Sequence, residues 1–128
     1  DYAHHPTEIV ATLAAAAERK PHRLLVVFQS HTYTRTSSLL ADFAAAFGDA
    51  DIVVITDIYA AREFNVSGVT GETLAEAVSR YHPHVVYRAS LGEATGYLKE
   101  TLMPGDMVIT MGAGDVHIVG EQLLGQHK

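Results

Sequence analysis

The sequence lacks cysteine and tryptophan altogether. Without cysteine the chain can form neither a disulfide framework nor a thiolate metal site, which suits a cytoplasmic protein. Basic residues are also scarce, since 9 Lys and Arg stand against 15 Asp and Glu, for a net charge of −6. Because nucleic-acid binding needs a basic excess or a basic stripe, this composition argues against a nucleic-acid partner.

Long apolar runs are missing too. No stretch approaches the roughly 20 residues of a membrane-spanning helix, and no signal peptide is visible. We therefore expect a cytoplasmic protein with no membrane partner. What the chain does have is 128 residues, 48% of them hydrophobic and 19% charged. This is the composition of one ordinary globular domain over residues 1–128.

Four short apolar runs divide the chain. They are rich in β-branched residues and apolar at consecutive positions, which is typical of strands covered on both faces. The predicted strands are Leu24–Phe28, Ile52–Ile55, Val85–Tyr87 and Met107–Met111.

Segments of helical period separate these runs. Pro6 begins an opening helix, Thr70 is a possible N-cap, and Ser90 and Glu93 fit a capping box. The predicted apolar stripes are Ile9–Ala17, Leu39–Phe47 with Gly48 closing the helix, Leu74–Tyr81, Leu91–Leu102 and Val116–Leu123. The alternation predicts an α/β fold of three layers, with a mostly parallel sheet and helices on both faces.

In such sheets ligands bind beyond the carboxyl ends of the strands. His31 and Arg35 follow the first predicted strand and straddle the start of a helix. The N–H groups of a helix start and a guanidinium favour a small anion such as a carboxylate or phosphate. The alternative is that Arg35 pairs with an acid such as Asp57 while the neighbouring hydroxyls only cap the helix.

Two further segments lie at the same edge. Gly112 and Gly114 follow the last strand, where they allow a tight turn capped by Asp115 or a close approach of backbone to a ligand. As a dinucleotide fingerprint this G-x-G is weak, because the third glycine is missing. The long polar segment 56–69, with Asp57, Tyr59, Arg62 and Glu63, is either functional or a surface loop closed by a pair of Arg62 with Glu63 or Asp57.

The histidine pair near the start is open to three interpretations. His4 and His5 precede Pro6, and adjacent histidines of an extended chain point to opposite sides. The first interpretation is a metal site, but such a pair rarely binds one metal ion together. Contact with a small molecule and capping of the first helix are the other two interpretations.

Four segments together resemble the C-terminal domain of the Mur ligase family. They are DYAHHPTEI (1–9), VVFQSHTYTRT (26–36), DIYAARE (57–63) and PGDMVITMGAGDV (104–116). The match covers essentially the whole chain in the right order, and it is strongest to members that add L-alanine to UDP-N-acetylmuramate. The resemblance implies a Rossmann-like third domain of a cytoplasmic enzyme of peptidoglycan synthesis, which serves cell shape and division.

The activity implied is an ATP- and Mg²⁺-dependent ligation. The lactyl carboxylate of UDP-N-acetylmuramate is activated as an acyl phosphate, and the amine of L-alanine attacks it to form an amide. In the family, a first domain holds the UDP end, and a central domain with a P-loop holds ATP phosphates and metal. Residues 1–128 contain no G-x-x-x-x-G-K-[ST], so the resemblance implies that this domain packs on a central domain and is inactive alone.

The resemblance also assigns roles to residues, but no catalytic side chain and no metal ligand. Asp1 is implied to bind the ribose hydroxyls of ATP, with Tyr2 and His4 beside the nucleotide. The positions implied to contact the amino acid are His31, Arg35, Gly112, Ala113 and Gly114. Thr32 stands where many relatives have a second arginine, which leaves Arg35 as the main cation. A different hypothesis is a stand-alone Rossmann-type nucleotide-binding or regulatory module without catalysis.

Overall fold

The computed structural model describes residues 5–112 and 116–125. Within these residues four strands form a single sheet: β1 (Leu24–Gln29), β2 (Ile52–Ile55), β3 (Val85–Tyr87) and β4 (Met107–Gly112). The helices of the same residues are α1 (Pro6–Glu18), α2 (Tyr33–Ser38), α3 (Leu40–Ala44), α4 (Gly71–Ser79), α5 (Leu91–Thr101) and α6 (His117–Gly125). All four strand predictions are confirmed, and β1 and β4 each extend one residue further.

The sheet is parallel throughout and has the order β3-β2-β1-β4. Val26 of β1 is in register with Val53 of β2 on one side and with Ile109 of β4 on the other. β1 and β2 are buried almost completely, whereas the edge strands β3 and β4 are only partly covered. The predicted α/β fold with a parallel sheet is confirmed, although complete coverage holds for the inner strands alone.

Helices cover both faces, so that the domain has three layers. Leu24, Val26 and Phe28 point to the face that α1, α3 and α4 cover. The alternate residues Leu25 and Val27 point to the face of α5 and α6. Since successive strand residues alternate between faces, one run of apolar residues supplies two cores.

Aromatic rings fill the first of these cores. The ring of Phe28 lies 5.4 Å from that of Phe43 and 5.4 Å from that of Phe47, in tilted arrangements. All three side chains are buried. Rings at this spacing contribute favourable edge interactions as well as buried area.

Side-chain caps start the helices where the sequence predicts them. His5 accepts a hydrogen bond from the N–H of Thr7 through Nδ1, while Glu8 accepts one from the N–H of His5, which completes a capping box. Ser90 and Glu93 make the equivalent pair at α5. The capping interpretation of His5 is therefore confirmed.

Two helix predictions need correction. In place of the helix expected over 39–47, a helix starts earlier, at Tyr33, is interrupted at Leu39 between α2 and α3, and ends at Ala44 rather than at Gly48. Helix formation begins early because the hydroxyl of Thr32 caps α2 by accepting from the N–H of Arg35. Tyr81 lies beyond the end of α4 and is 68% exposed, so it does not belong to the apolar stripe of that helix.

An ion pair joins β1 to β4 at the amino ends of the strands. Arg23 donates from its Nε and terminal nitrogen to Asp106, the shorter distance being 2.6 Å, and donates 2.8 Å to the carbonyl of Thr101. The Asp106 side chain is fully buried.

In the described part of the chain no helix combines the length and apolarity that crossing a membrane requires.

Candidate functional site

The loops after β1 and β2 meet at the carboxyl edge of the sheet. Because these strands are neighbours, Tyr59 reaches the segment after β1 and extends the parallel pairing by one bridge. Its N–H donates to the carbonyl of Ser30 at 2.8 Å, and its carbonyl accepts from the N–H of Thr32 at 2.8 Å. The polar segments 29–36 and 57–63 thus form one surface.

His31 is held on this surface by stacking. Its ring lies 5.8 Å from that of Tyr59, with the two planes at 16°. His31 is half-buried and Tyr59 is 39% exposed. The stack and the backbone bridge fix the direction of the imidazole before any ligand arrives. The sequence marks Tyr59 only as part of a loop that could be functional, since only the pairing of β1 with β2 brings it to His31.

Thr32 has a strained backbone, with φ +62° and ψ 147°. Such a conformation is unusual for a β-branched residue and costs about 1–3 kcal/mol. Its carbonyl accepts 2.7 Å from the hydroxyl of Thr36, which lies 2.6 Å from that of Ser30. Ser30 and Thr36 are completely buried. The hydroxyls of this segment therefore hold a bend between His31 and Arg35.

The start of α2 does not offer the free donors that the sequence suggests. Glu63 Oε1 accepts from the N–H of Thr34 at 3.0 Å, and the hydroxyl of Thr32 accepts from the N–H of Arg35 at 3.3 Å. The N–H groups at this start, that of Thr34 above all, lower the pKa of Glu63 below its usual range. A carboxylate of the protein itself thus occupies the position expected for an anionic ligand.

Arg35 is half-buried, and its guanidinium has no partner among the residues that the structure describes. The expected alternative, a pair with Asp57, is not formed. Asp57 instead accepts a short hydrogen bond from the hydroxyl of Tyr87 at the end of β3. This bond, together with burial, raises the pKa of Tyr87 to about 12. Within residues 5–112 and 116–125, then, no acid neutralises Arg35.

The loop 57–63 is also not closed by Arg62, as one interpretation of the sequence had it. Glu63 bonds to α2, and Asp57 bonds to β3. These two carboxylates tie the loop to the strands and helices on either side of it. Sequence spacing favoured local pairs and could not reveal these contacts between distant residues.

The end of β4 closes the site on its other side. Gly112 has φ +120°, and a Cβ atom there would lie 2.0 Å from the carbonyl oxygen of Gln29. Only glycine fits this close approach of two strands. This glycine stands where the sequence predicts a tight turn or a close approach to a ligand after β4. Ala113, Gly114 and Asp115 of that turn lie outside the described residues.

Asp1, Tyr2 and His4, the expected nucleotide contacts, also lie outside the described residues. In the two described ranges no group of three or more His, Asp or Glu side chains could hold a metal ion.

His82, one of the scattered histidines, is buried, and both of its ring nitrogens have hydrogen-bond partners. Its Nε2 lies 2.6 Å from the carbonyl of Ala50, and its Nδ1 accepts from the N–H of His84.

Comparison with known proteins supplies three similar sequences with one name. The chain is 48% identical over 121 residues to a UDP-N-acetylmuramate–L-alanine ligase of Synechocystis, 48% over 129 residues to that of Syntrophus aciditrophicus, and 49% over 124 residues to that of Acetivibrio thermocellus. These matches cover 91%, 100% and 97% of this chain, but 24%, 27% and 26% of the relatives. The chain thus spans about a quarter of their length.

Solved structures share the fold. The UDP-N-acetylmuramate–alanine ligase of Thermotoga maritima superposes with a TM-score of 0.78 at 23% identity, covering 99% of this chain and 25% of that one. A murein peptide ligase of Psychrobacter arcticus gives 0.74 at 20% identity, covering 98% and 26%. Residues 1–114 match the family described as Mur ligase, glutamate ligase domain. The chain is therefore a member of the Mur ligase family, of which it carries the glutamate ligase domain.

Proposed function

We propose that this chain is the C-terminal domain of an ATP-dependent ligase that joins L-alanine to UDP-N-acetylmuramate in peptidoglycan synthesis. The observation that carries the proposal is the identity of 48–49% to three ligases of that name over at least 91% of the chain. Residues 1–128 form one domain of the longer enzyme. The UDP end and the P-loop belong to its other domains.

The role of this domain is to hold the incoming amino acid. Arg35 supplies a guanidinium that no described residue pairs, at the carboxyl edge of the sheet, where ligands bind in this class of fold. A guanidinium matches the planar carboxylate of an amino acid with two parallel hydrogen bonds. His31, fixed against Tyr59, stands on the same surface, and Gly112 bounds it. Ala113 and Gly114 complete the wall of this substrate site.

ATP and Mg²⁺ are held mainly by the central domain. ATP supplies the phosphoryl group that activates the carboxylate of the nucleotide sugar. This chain contributes Asp1 to the ribose and Tyr2 and His4 beside the nucleotide. His5, next to them, is committed to the cap of α1, which leaves His4 as the histidine of the pair for the ligand.

Two exposed apolar side chains support packing against the rest of the enzyme. Phe64 and Val66, in the loop before α4, are 90% and 93% exposed. A groove of about 230 Å³ lies between this loop and α2, which carries Arg35. Apolar side chains this exposed are typical of surfaces that another domain covers. Closure of the central domain over this loop would also exclude water from the amino-acid site.

The experiment is steady-state kinetics on the complete gene product with Arg35→Ala. The Michaelis constant for L-alanine should rise about tenfold or more, since a charge-assisted hydrogen bond contributes roughly 1.5–3 kcal/mol. The constants for ATP and UDP-N-acetylmuramate should stay within about twofold. The matched control is Arg80→Ala, because Arg80 is exposed just after α4, at the opposite edge of the sheet.

Two results would contradict the proposal. One is an unchanged Michaelis constant for L-alanine in Arg35→Ala, which removes the carboxylate role. The other is ATP-dependent ligation by residues 1–128 alone, because the domain should be inactive without a P-loop. Tight ATP binding by the isolated domain, without ligation by the complete protein, would favour a stand-alone nucleotide-binding module instead.

A further inference from the structure

His31 is held differently from two other histidines of the chain. His5 and His82 are fixed through ring nitrogens, which bond to the N–H of Thr7 in the first case and to backbone groups on both sides in the second. His31 is fixed through the face of its ring, which stacks on Tyr59 with 16° between the planes. Because the two nitrogens lie in the plane of the imidazole, a contact through the face does not use them. The ring can therefore be fixed in place and still turn its nitrogens to a ligand.

Tyr59 is itself anchored to the sheet. Its N–H donates to the carbonyl of Ser30 and its carbonyl accepts from the N–H of Thr32, so its backbone is bonded to the chain on either side of His31. The preceding residue, Ile58, is buried. The phenol ring thus projects from a backbone that strand pairing fixes, as a side chain that orients its neighbour requires.

The stacked pair is accessible from solvent. Tyr59 is partly exposed and His31 is half-buried, in contrast to Phe28 of the core, which is completely buried. Both rings lie at the carboxyl edge of the sheet, where ligands bind in this class of fold. A small molecule can therefore reach the imidazole while the phenol supports it from one face.

We propose that Tyr59 is a positioning residue of the amino-acid site, whose ring holds the imidazole of His31 in the direction in which it meets the incoming amino acid. This inference rests on the proposed function, because it assigns the support of a residue in the same site. Tyr59 acts through His31, so loss of the phenol ring and loss of the imidazole remove the same contact. The hydroxyl lies in the plane of the phenol ring and takes no part in the stack, so phenylalanine should replace tyrosine.

The test variant is Tyr59→Leu in the complete gene product, since leucine keeps apolar bulk and loses the ring face. The Michaelis constant for L-alanine should rise about three- to tenfold, which corresponds to the interaction of two aromatic rings. The turnover number and the Michaelis constants for ATP and UDP-N-acetylmuramate should stay within about twofold. Tyr59→Phe keeps the ring face and should behave as the wild type.

A double-mutant cycle separates this role from a purely structural one. The Michaelis constant for L-alanine should already be raised in His31→Ala, and adding Tyr59→Leu should raise it no further, because the phenol then has no imidazole to hold. If Tyr59 only stabilised its loop, the two effects would multiply. The matched control is Tyr81→Leu, which should leave every kinetic constant unchanged, because Tyr81 is an exposed tyrosine just after α4, at the opposite edge of the sheet.

Proton NMR of the 128-residue chain tests the stack without any substrate. The imidazole signals of His31, identified by their loss in His31→Ala, should move in Tyr59→Leu, because the ring current of the phenol is removed. They should move far less in Tyr59→Phe. The chain has 8 histidines, and the signals of the others are the internal reference that should stay in place.

Four results would overturn the inference. They are an unchanged Michaelis constant for L-alanine in Tyr59→Leu, an equal rise in Tyr59→Phe, effects that multiply in the double variant, and imidazole signals of His31 that do not move. A complete wild-type protein that does not ligate L-alanine would refute the proposed function instead. The NMR measurement uses no substrate, so the two failures are distinguishable.

Discussion

Replacing Asp106 with asparagine tests the ion pair at the amino ends of β1 and β4. The carboxylate accepts from the guanidinium of Arg23 and, at 2.8 Å, from the N–H of Met103. Asparagine keeps the shape and one acceptor oxygen, but it turns an NH₂ group toward the guanidinium. The substitution therefore leaves a cation facing a donor at a buried position.

The expected loss is about 2–3 kcal/mol in the free energy of unfolding. Removing one partner from a fully buried pair costs about 3–5 kcal/mol. Here the Asp106 side chain is fully buried but that of Arg23 is 24% exposed, so water compensates part of the loss. For a domain of this size, such a loss lowers the melting temperature by roughly 8–12 °C.

The pH dependence provides an independent check. The hydrogen bond from Arg23 holds the pKa of Asp106 below its usual range. Because the folded pKa lies below the unfolded one, the stabilisation is complete above the unfolded pKa of about 3.9 and is lost as pH falls through the folded pKa. The difference between wild type and Asp106→Asn should therefore be constant near neutrality and shrink in acid.

The assay is urea unfolding of the 128-residue chain followed by circular dichroism, at neutral pH and at several acidic values. Asp49→Asn is the matched control, because Asp49 is exposed and its removal should change stability little. If wild type and Asp106→Asn differ at neutral pH by less than 1 kcal/mol, which is about fivefold in the unfolding equilibrium, the reasoning from burial is refuted. A difference that persists unchanged in acid would refute the reasoning from the pKa.

Three further predictions concern the carboxyl edge. Thr32→Ala should destabilise the domain by about 1 kcal/mol in urea unfolding, because it removes the cap of α2. Thr32→Gly should be more stable than Thr32→Ala by about 1 kcal/mol, because glycine adopts φ +62° without strain. Equal stabilities of the two variants would contradict the strained backbone. Gly112→Ala should lower the free energy of unfolding by about 2–3 kcal/mol or more in the same assay, because its Cβ would collide with the carbonyl oxygen of Gln29. A fully stable variant would show that Gln29 and Gly112 are not in close approach. Ultraviolet titration of wild type against Tyr87→Phe should give Tyr87 a pKa of about 12. The hydrogen bond from Tyr87 to Asp57 therefore stabilises the fold fully below the unfolded pKa of about 10, and this stabilisation is lost as pH rises through 12. Asp57→Asn should lower the pKa of Tyr87, and an unchanged titration would contradict the hydrogen bond.

The strands and the starts of α1, α4 and α5 could be predicted because they depend on neighbours in the sequence. The run Ile52–Ile55 is apolar at every position, which specifies a strand covered on both faces. Ser90 and Glu93 cap α5 through atoms three residues apart. The break at Leu39 was not predictable, because the apolar stripe continues through it and only the cap at Thr32 shifts the helix.

The location of the candidate residues in the fold was predictable, but their contacts were not. His31 and Arg35 follow a strand, so their position at the carboxyl edge follows from the parallel sheet alone. The expected anion site at the start of α2 was wrong in its donors, because Glu63 reaches there from the next loop. The stacking of Tyr59 on His31 also emerged only from the packed chain.

The sequence by itself determined the α/β class, the four strands, the caps and the family, because each depends on local periodicity or on residues in a fixed order. Only the tertiary structure decided which charges are paired. Asp57 binds Tyr87, Glu63 binds the start of α2, and Arg35 remains free among the described residues. The physical reason is that these partners lie about 30 residues apart along the chain, and strand order, which sequence spacing does not encode, sets their distance in space.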